Sequence, residues 1–83
     1  MKYRKKPIVI EAVQFLESTI NGPAEFKDVV KFRKKISGGY FYIKTPEGEH
    51  IVLDGDFIIK GIKGEFYPCK EDIFHLTYEK ADD

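Results

Sequence analysis

Lys60-Gly61, Lys63-Gly64 and Lys70 bring three ammonium groups and two glycines into one short stretch, with Tyr67 among them. Glycine lets backbone amides approach a phosphate, lysine supplies point charge, and a tyrosine face can stack on a base. This set suits a nucleotide-like anion, provided the strands curl to bring it near Tyr67, Tyr40 or Tyr42. The competing reading is that these are exposed hairpin lysines, which suppress edge-to-edge pairing of strands.

A second basic group opens the chain. Lys2, Arg4, Lys5 and Lys6 surround Tyr3. An arm of this kind can lie along phosphates with its aromatic ring as a stacking face, and it can equally be a solubilising lead into an edge strand. Fourteen basic and fourteen acidic residues cancel, so no whole-molecule field draws the chain to nucleic acid or to an anionic membrane.

Catalytic sets are harder to assemble. A nucleophilic enzyme needs Cys69, or one of only two serines, beside a general base, and Cys69 and His75 stand six apart without a local signature. Asp54, Asp56, Glu65 and Asp72 could pair for acid/base or metal work, but acidic residues flanking glycine are what tight turns select. We expect no catalytic residues, no metal and no cofactor. One cysteine rules out an internal disulfide, and one Cys with two His makes no zinc set. The basic start is followed by an apolar stretch already interrupted by Glu11, too short for a signal peptide or a membrane span, so a cytoplasmic location is expected.

The elements that must carry these groups follow from periodicity. At 83 residues the chain is expected to form a single domain over 1–83, with 1–6 as a basic arm and 79–83 as a frayed tail. Residues 7–15, PIVIEAVQF, read as a strand covered on both faces, with Pro7 at its first position. Residues 23–36 read as an amphipathic helix: Phe26, Val29, Val30, Phe32 and Ile36 share one face, Pro23 stands at the start and Gly38-Gly39 past the end. Arg33 falls in the middle of that apolar face, either snorkelling to water or functional.

From Gly39 onward, YFYIKT, HIVL, FIIKG and EFYPCK are four strands joined by tight turns, an antiparallel meander whose Pro68 belongs at an edge. EDIFHLTYEKADD adds a short helix or turn. The expected fold is α+β: a small bent antiparallel sheet or half-open barrel of about five strands with one packed amphipathic helix. The sequence does not place strand 7–15 in that sheet.

The chain resembles a family of small phage and prophage proteins of unknown function. The likeness rests on Lys2-Tyr3-Arg4-Lys5-Lys6-Pro7, on Glu11-Ala12, and on a distal run: Gly55-Asp56-Phe57-Ile58-Ile59, Gly61, Gly64-Glu65, Tyr67-Pro68-Cys69, Asp72-Ile73-Phe74 and Thr77-Tyr78. It covers about half the chain and leaves 16–39 unmatched. From the Pro-Gly-Asp-Tyr-Gly pattern of some members the chain departs at Asp54, Phe57 and Ile58.

The resemblance implies a genetic setting, a phage or integrated prophage with the protein in the cytoplasm of a bacterial host, and no activity. With it, the leading expectation is a non-enzymatic accessory protein that binds a host protein, for example as an inhibitor. One alternative is a protein that binds or sequesters a nucleotide-like ligand through Lys60, Gly61, Lys63, Gly64, Tyr67 and Lys70. Another is a nucleic-acid-binding module using Lys2 to Lys6. Exposed sheet edges leave self-pairing into a dimer open.

Overall fold

The structure, a computed structural model, describes residues 1–81. Seven strands and two short helices follow the arm: β1 (Glu11–Leu16), β2 (Thr19–Ile20), α1 (Ala24–Val29), β3 (Lys31–Lys35), β4 (Gly38–Thr45), β5 (Gly48–Val52), β6 (Phe57–Lys60), β7 (Phe66–Cys69) and α2 (Glu71–Thr77). They form two antiparallel sheets, a four-stranded one ordered β2-β1-β6-β7 and a three-stranded one ordered β3-β4-β5. The α+β class is as the sequence predicts. The architecture is two sheets of seven strands, where a single bent sheet of about five was expected, and it does not close into a barrel.

The expected meander breaks between β5 and β6. Asp54-Gly55-Asp56 is the tight turn foreseen there, with Gly55 at φ 94°. The buried Asp56 folds back so that its carboxylate accepts the Leu53 amide at 2.9 Å and its own amide donates to the Leu53 carbonyl at 3.0 Å. The turn then bonds to β1: the Gly55 amide donates to the Phe15 carbonyl, and the Phe15 amide to that of Asp56. β6 therefore pairs with β1, and β5 stays in the other sheet. Ile58 and Ile59, 0% and 1% exposed, need cover on both faces of a central strand, and the apolar β1 supplies the neighbour. The strand foreseen over 7–15 begins at Glu11, because β6 ends opposite it at Lys60.

The helix foreseen over 23–36 is the largest correction. It spans only Ala24–Val29, and residues 31–35 form β3 on β4, in register from Lys31 opposite Tyr42 to Lys35 opposite Gly38. The segment Val30-Lys31-Phe32-Arg33 alternates apolar and basic residues. The adjacent β-branched Val29 and Val30 weaken helix continuation, and the edge of β4 supplies a ladder of hydrogen bonds in its place. Gly39, expected beyond a helix end, lies inside that ladder: a Cβ there would meet the Arg33 carbonyl oxygen and, at 2.6 Å, the Phe32 ring. Ile36, assigned to the core face, sits fully exposed in the β3–β4 connection.

The sheets close on Phe15, Ile20, Phe26, Ile43, Val52 and Ile58. Phe26, the one buried residue of α1, packs edge-on to Phe66 at 5.2 Å. Lys60 reaches Glu25 with both carboxylate oxygens at 3.1 Å, tying α1 to β6. On the opposite face of the four-stranded sheet, α2 lays Phe74 flat on Phe57, centroids 3.9 Å apart.

The β1–β2 hairpin turns on Glu17 and Ser18, both left-handed at φ 51° and 59°. Two-residue hairpin turns of this form favour Asn-Gly, and a non-glycine residue in this region costs roughly 1–2 kcal/mol. The double variant Glu17→Asn/Ser18→Gly is expected to stabilise the protein by about 1 kcal/mol, read as a higher urea midpoint at unchanged slope.

Candidate functional site

Period-two geometry decides how the sequence-predicted residues are placed. β6 and β7 pair Lys60 with Phe66 and Ile59 with Tyr67, so Lys60 and Phe66 lie on the face toward α1 and the core, and Ile59 and Tyr67 on the other. Lys60 is thus turned away from Tyr67 and occupied by Glu25. Lys63 is exposed at the tip of the β6–β7 turn, where Gly64 adopts φ 83°, and Lys70 is exposed at the start of α2. The three lysines do not converge. Tyr40 and Tyr42 belong to β4, in the other sheet, and do not join them.

What the fold does bring together is Tyr67, Gly61 and the basic arm. A groove of about 390 Å³ is lined by Lys5 and Lys6 of the arm, by Pro7 and Ile8 just after it, by Gly61, Glu65 and Tyr67 of the β6–β7 hairpin, and by Thr77 and Tyr78 at the end of α2. The Lys5 ammonium stands 5.6 Å over the Tyr78 ring, a cation–π contact that places the arm along this wall. Lys2, Tyr3 and Arg4 extend past the groove, exposed to solvent. The Gly61 amide donates to the Glu65 carbonyl at 2.7 Å, and the Glu65 carboxylate folds over Gly61 into the space a Cβ would take. The volume lies within the usual range for small-molecule sites.

Burial pushes the Tyr67 phenol up to about 12, with the neighbouring Tyr78 hydroxyl adding to the shift. Tyr67 therefore enters the groove as a neutral donor at physiological pH. A phenol whose pKa is higher folded than unfolded keeps its proton while the unfolded chain loses it. The stability it contributes is complete below pH 10 and disappears as pH rises toward 12. Chemical denaturation across that window is expected to show stability falling with pH in the wild type and falling less steeply in Tyr67→Phe.

Asp54, Asp56 and Asp72 are structural in this geometry, while Glu65 lies in the groove wall. Asp54 accepts the Ser18 amide at 3.1 Å, Asp56 closes its own turn, and Asp72 accepts the Ile73 amide at the start of α2. Among the described residues no group of three or more His, Cys, Asp or Glu side chains is placed to hold a metal. Cys69 is half-buried, and burial, followed by the charges of Asp56 and Asp72, raises its thiol pKa. This is opposite to the activation a nucleophile needs. His75 packs edge-on to the Phe57 and Phe74 rings.

Among the described residues no helix is long and apolar enough to cross a membrane. A comparison with family models, curated proteins and solved structures finds no match to the chain. The groove must be read from its own chemistry. Sequence reasoning singled out Lys5, Lys6, Gly61 and Tyr67 under two separate hypotheses and passed over Tyr78 and Glu65 as groove residues. Strand parity could have separated Lys60 from Tyr67; the return of Tyr78 to the arm depends on α2 doubling back, for which the sequence carries no local signal.

Proposed function

We propose that this chain is a non-enzymatic binding protein whose groove between the arm and the β6–β7 hairpin takes a nucleotide-like anion. The observation that carries the reading is the shared groove itself: two ammonium groups, two tyrosines and a glycine turn line one concavity. Lys5 and Lys6 suit phosphate, Tyr67 and Tyr78 suit a base, and Glu65 suits a sugar hydroxyl or a base amino group. This revises the ligand set, with Lys5 and Lys6 in the place first given to Lys60, Lys63 and Lys70.

The host-protein reading, with the phage setting implied by the motif likeness, takes second place. Strand addition is its simplest mechanism, and two sheet edges discourage it: β3 carries Lys31, Lys34 and Lys35, and β7 carries Pro68. A thermal-shift panel of mono-, di- and cyclic nucleotides tests the groove. A rise with at least one member supports it, and no rise with any member at millimolar concentration removes it.

A further inference from the structure

Because residues 31–35 form β3 on β4, the three-stranded sheet presents an outer face that a helix over 23–36 would not contain. Alternation along β3, β4 and β5 puts Lys31, Arg33 and Lys35, Tyr40, Tyr42 and Lys44, and Glu49 and Ile51 on the face of the three-stranded sheet that points away from the core. The opposite face holds Phe41, Ile43 and Val52 in the interior. Arg33, left between snorkelling and function by the sequence, lies at the centre of the outer face. Its two terminal nitrogens grip Glu49 at 2.8 and 3.0 Å and donate to the Tyr40 and Tyr42 hydroxyls at 3.3 and 3.2 Å.

The guanidinium carbon lies 4.5 Å from the Tyr42 ring centroid and 6.0 Å from that of Tyr40, and the Lys35 ammonium 5.4 Å from Tyr40. The two rings sit side by side, centroids 6.0 Å apart. Arg33 is neutralised by Glu49. Among the described residues Lys31, Lys35 and Lys44 make no ion pair, so a chain of zero net charge concentrates three uncompensated cations around two fixed aromatic rings.

We propose that this outer sheet face binds single-stranded nucleic acid. Aromatic rings presented on an open sheet and flanked by cations are the combination that stacks unpaired bases while tracking their phosphates. A duplex keeps its base faces internal and offers these rings nothing to stack on, which favours the single strand. The Arg33–Glu49 fork holds the guanidinium plane and both tyrosines in place before binding, making Arg33 a positioning residue. The site is separate from the groove, which is built by the other sheet and the arm.

Fluorescence anisotropy with a labelled oligothymidylate of about 12 nucleotides, within the usual range of site sizes, and a duplex of equal length reads the proposal directly. Binding is expected to favour the single strand and to fall with salt at a log–log slope of about −2, as three lysine–phosphate contacts predict. Tyr42→Ala should weaken binding roughly 5- to 150-fold, with Tyr42→Phe restoring most of it. Lys31→Gln/Lys35→Gln/Lys44→Gln should flatten the salt slope without altering the fold, since all three side chains are exposed. Tyr67→Ala in the groove should leave oligonucleotide binding unchanged. Equal affinity for duplex and single strand, indifference to the triple lysine variant, or loss of binding on deleting residues 1–6 alone would each overturn it.

Discussion

Replacing Phe26 by Ala is expected to cost about 3–5 kcal/mol, the usual range for removing a fully buried phenylalanine. Phe26 is 1% exposed and is the one buried side chain of α1, its ring meeting Phe66 edge-on with Val29 packed against the same core. A helix as short as α1 has no stability of its own, so tertiary packing holds it in place, and the exposed Lys60–Glu25 pair contributes at most about 1 kcal/mol. Small domains have about 5–15 kcal/mol to lose, so the variant stands close to unfolding.

Phe32 makes the informative contrast. On a helix over 23–36 it would share the buried face with Phe26, and the two truncations would cost alike. On β3 it is 53% exposed, resting on Phe41 with centroids 4.9 Å apart, and Phe32→Ala should cost about 1 kcal/mol. Urea denaturation of the two variants separates the strand from the helix without a structure.

The second large effect concerns the groove. A ligand at a hundred times its dissociation constant adds about 2.7 kcal/mol to the stability of the folded state. For a domain of this size that corresponds to a rise in Tm of roughly 11–22 °C. Tyr67→Ala removes a wall of the groove, and Lys5→Gln/Lys6→Gln removes its positive charge while leaving the exposed arm otherwise intact. Either change is expected to reduce the nucleotide-induced rise to a few degrees. The same substitution at Lys60 should leave the rise unchanged, because that ammonium points to the other face and is held by Glu25. A Lys60 variant that abolished the response would return the site to the set first read from the sequence.

Much of the fold was legible because turns and strands write local signals. Gly48 and Gly64, at φ 119° and 83°, mark two hairpin connections that stand where the sequence put them, and Pro68 lies on the edge strand that its missing amide demands. The helix boundary was not legible. Over 30–36 a period of 3.6 and a period of 2 both account for Val30, Phe32 and Ile36, and the choice was made by β4, whose pairing no helical or strand periodicity records. The same limit governs the candidate site. The chemistry of Lys5, Lys6, Gly61 and Tyr67 can be read from residue types, but their meeting depends on β6 pairing with β1, which brings the arm alongside the β6–β7 hairpin. Arg33 shows the converse case: a residue ambiguous on a helix acquires a defined partner, Glu49, once its segment is a strand.

The central claim, that the groove between the arm and the β6–β7 hairpin is the ligand site, is tested most directly by amide NMR spectra recorded during titration with the best nucleotide from the panel. Saturable shifts are expected at Lys5, Lys6, Gly61, Glu65, Tyr67 and Tyr78, with Lys60 and the strands of the three-stranded sheet little changed. Shifts confined to Arg33, Tyr40 and Tyr42, or spectra unmoved by any nucleotide, would contradict it.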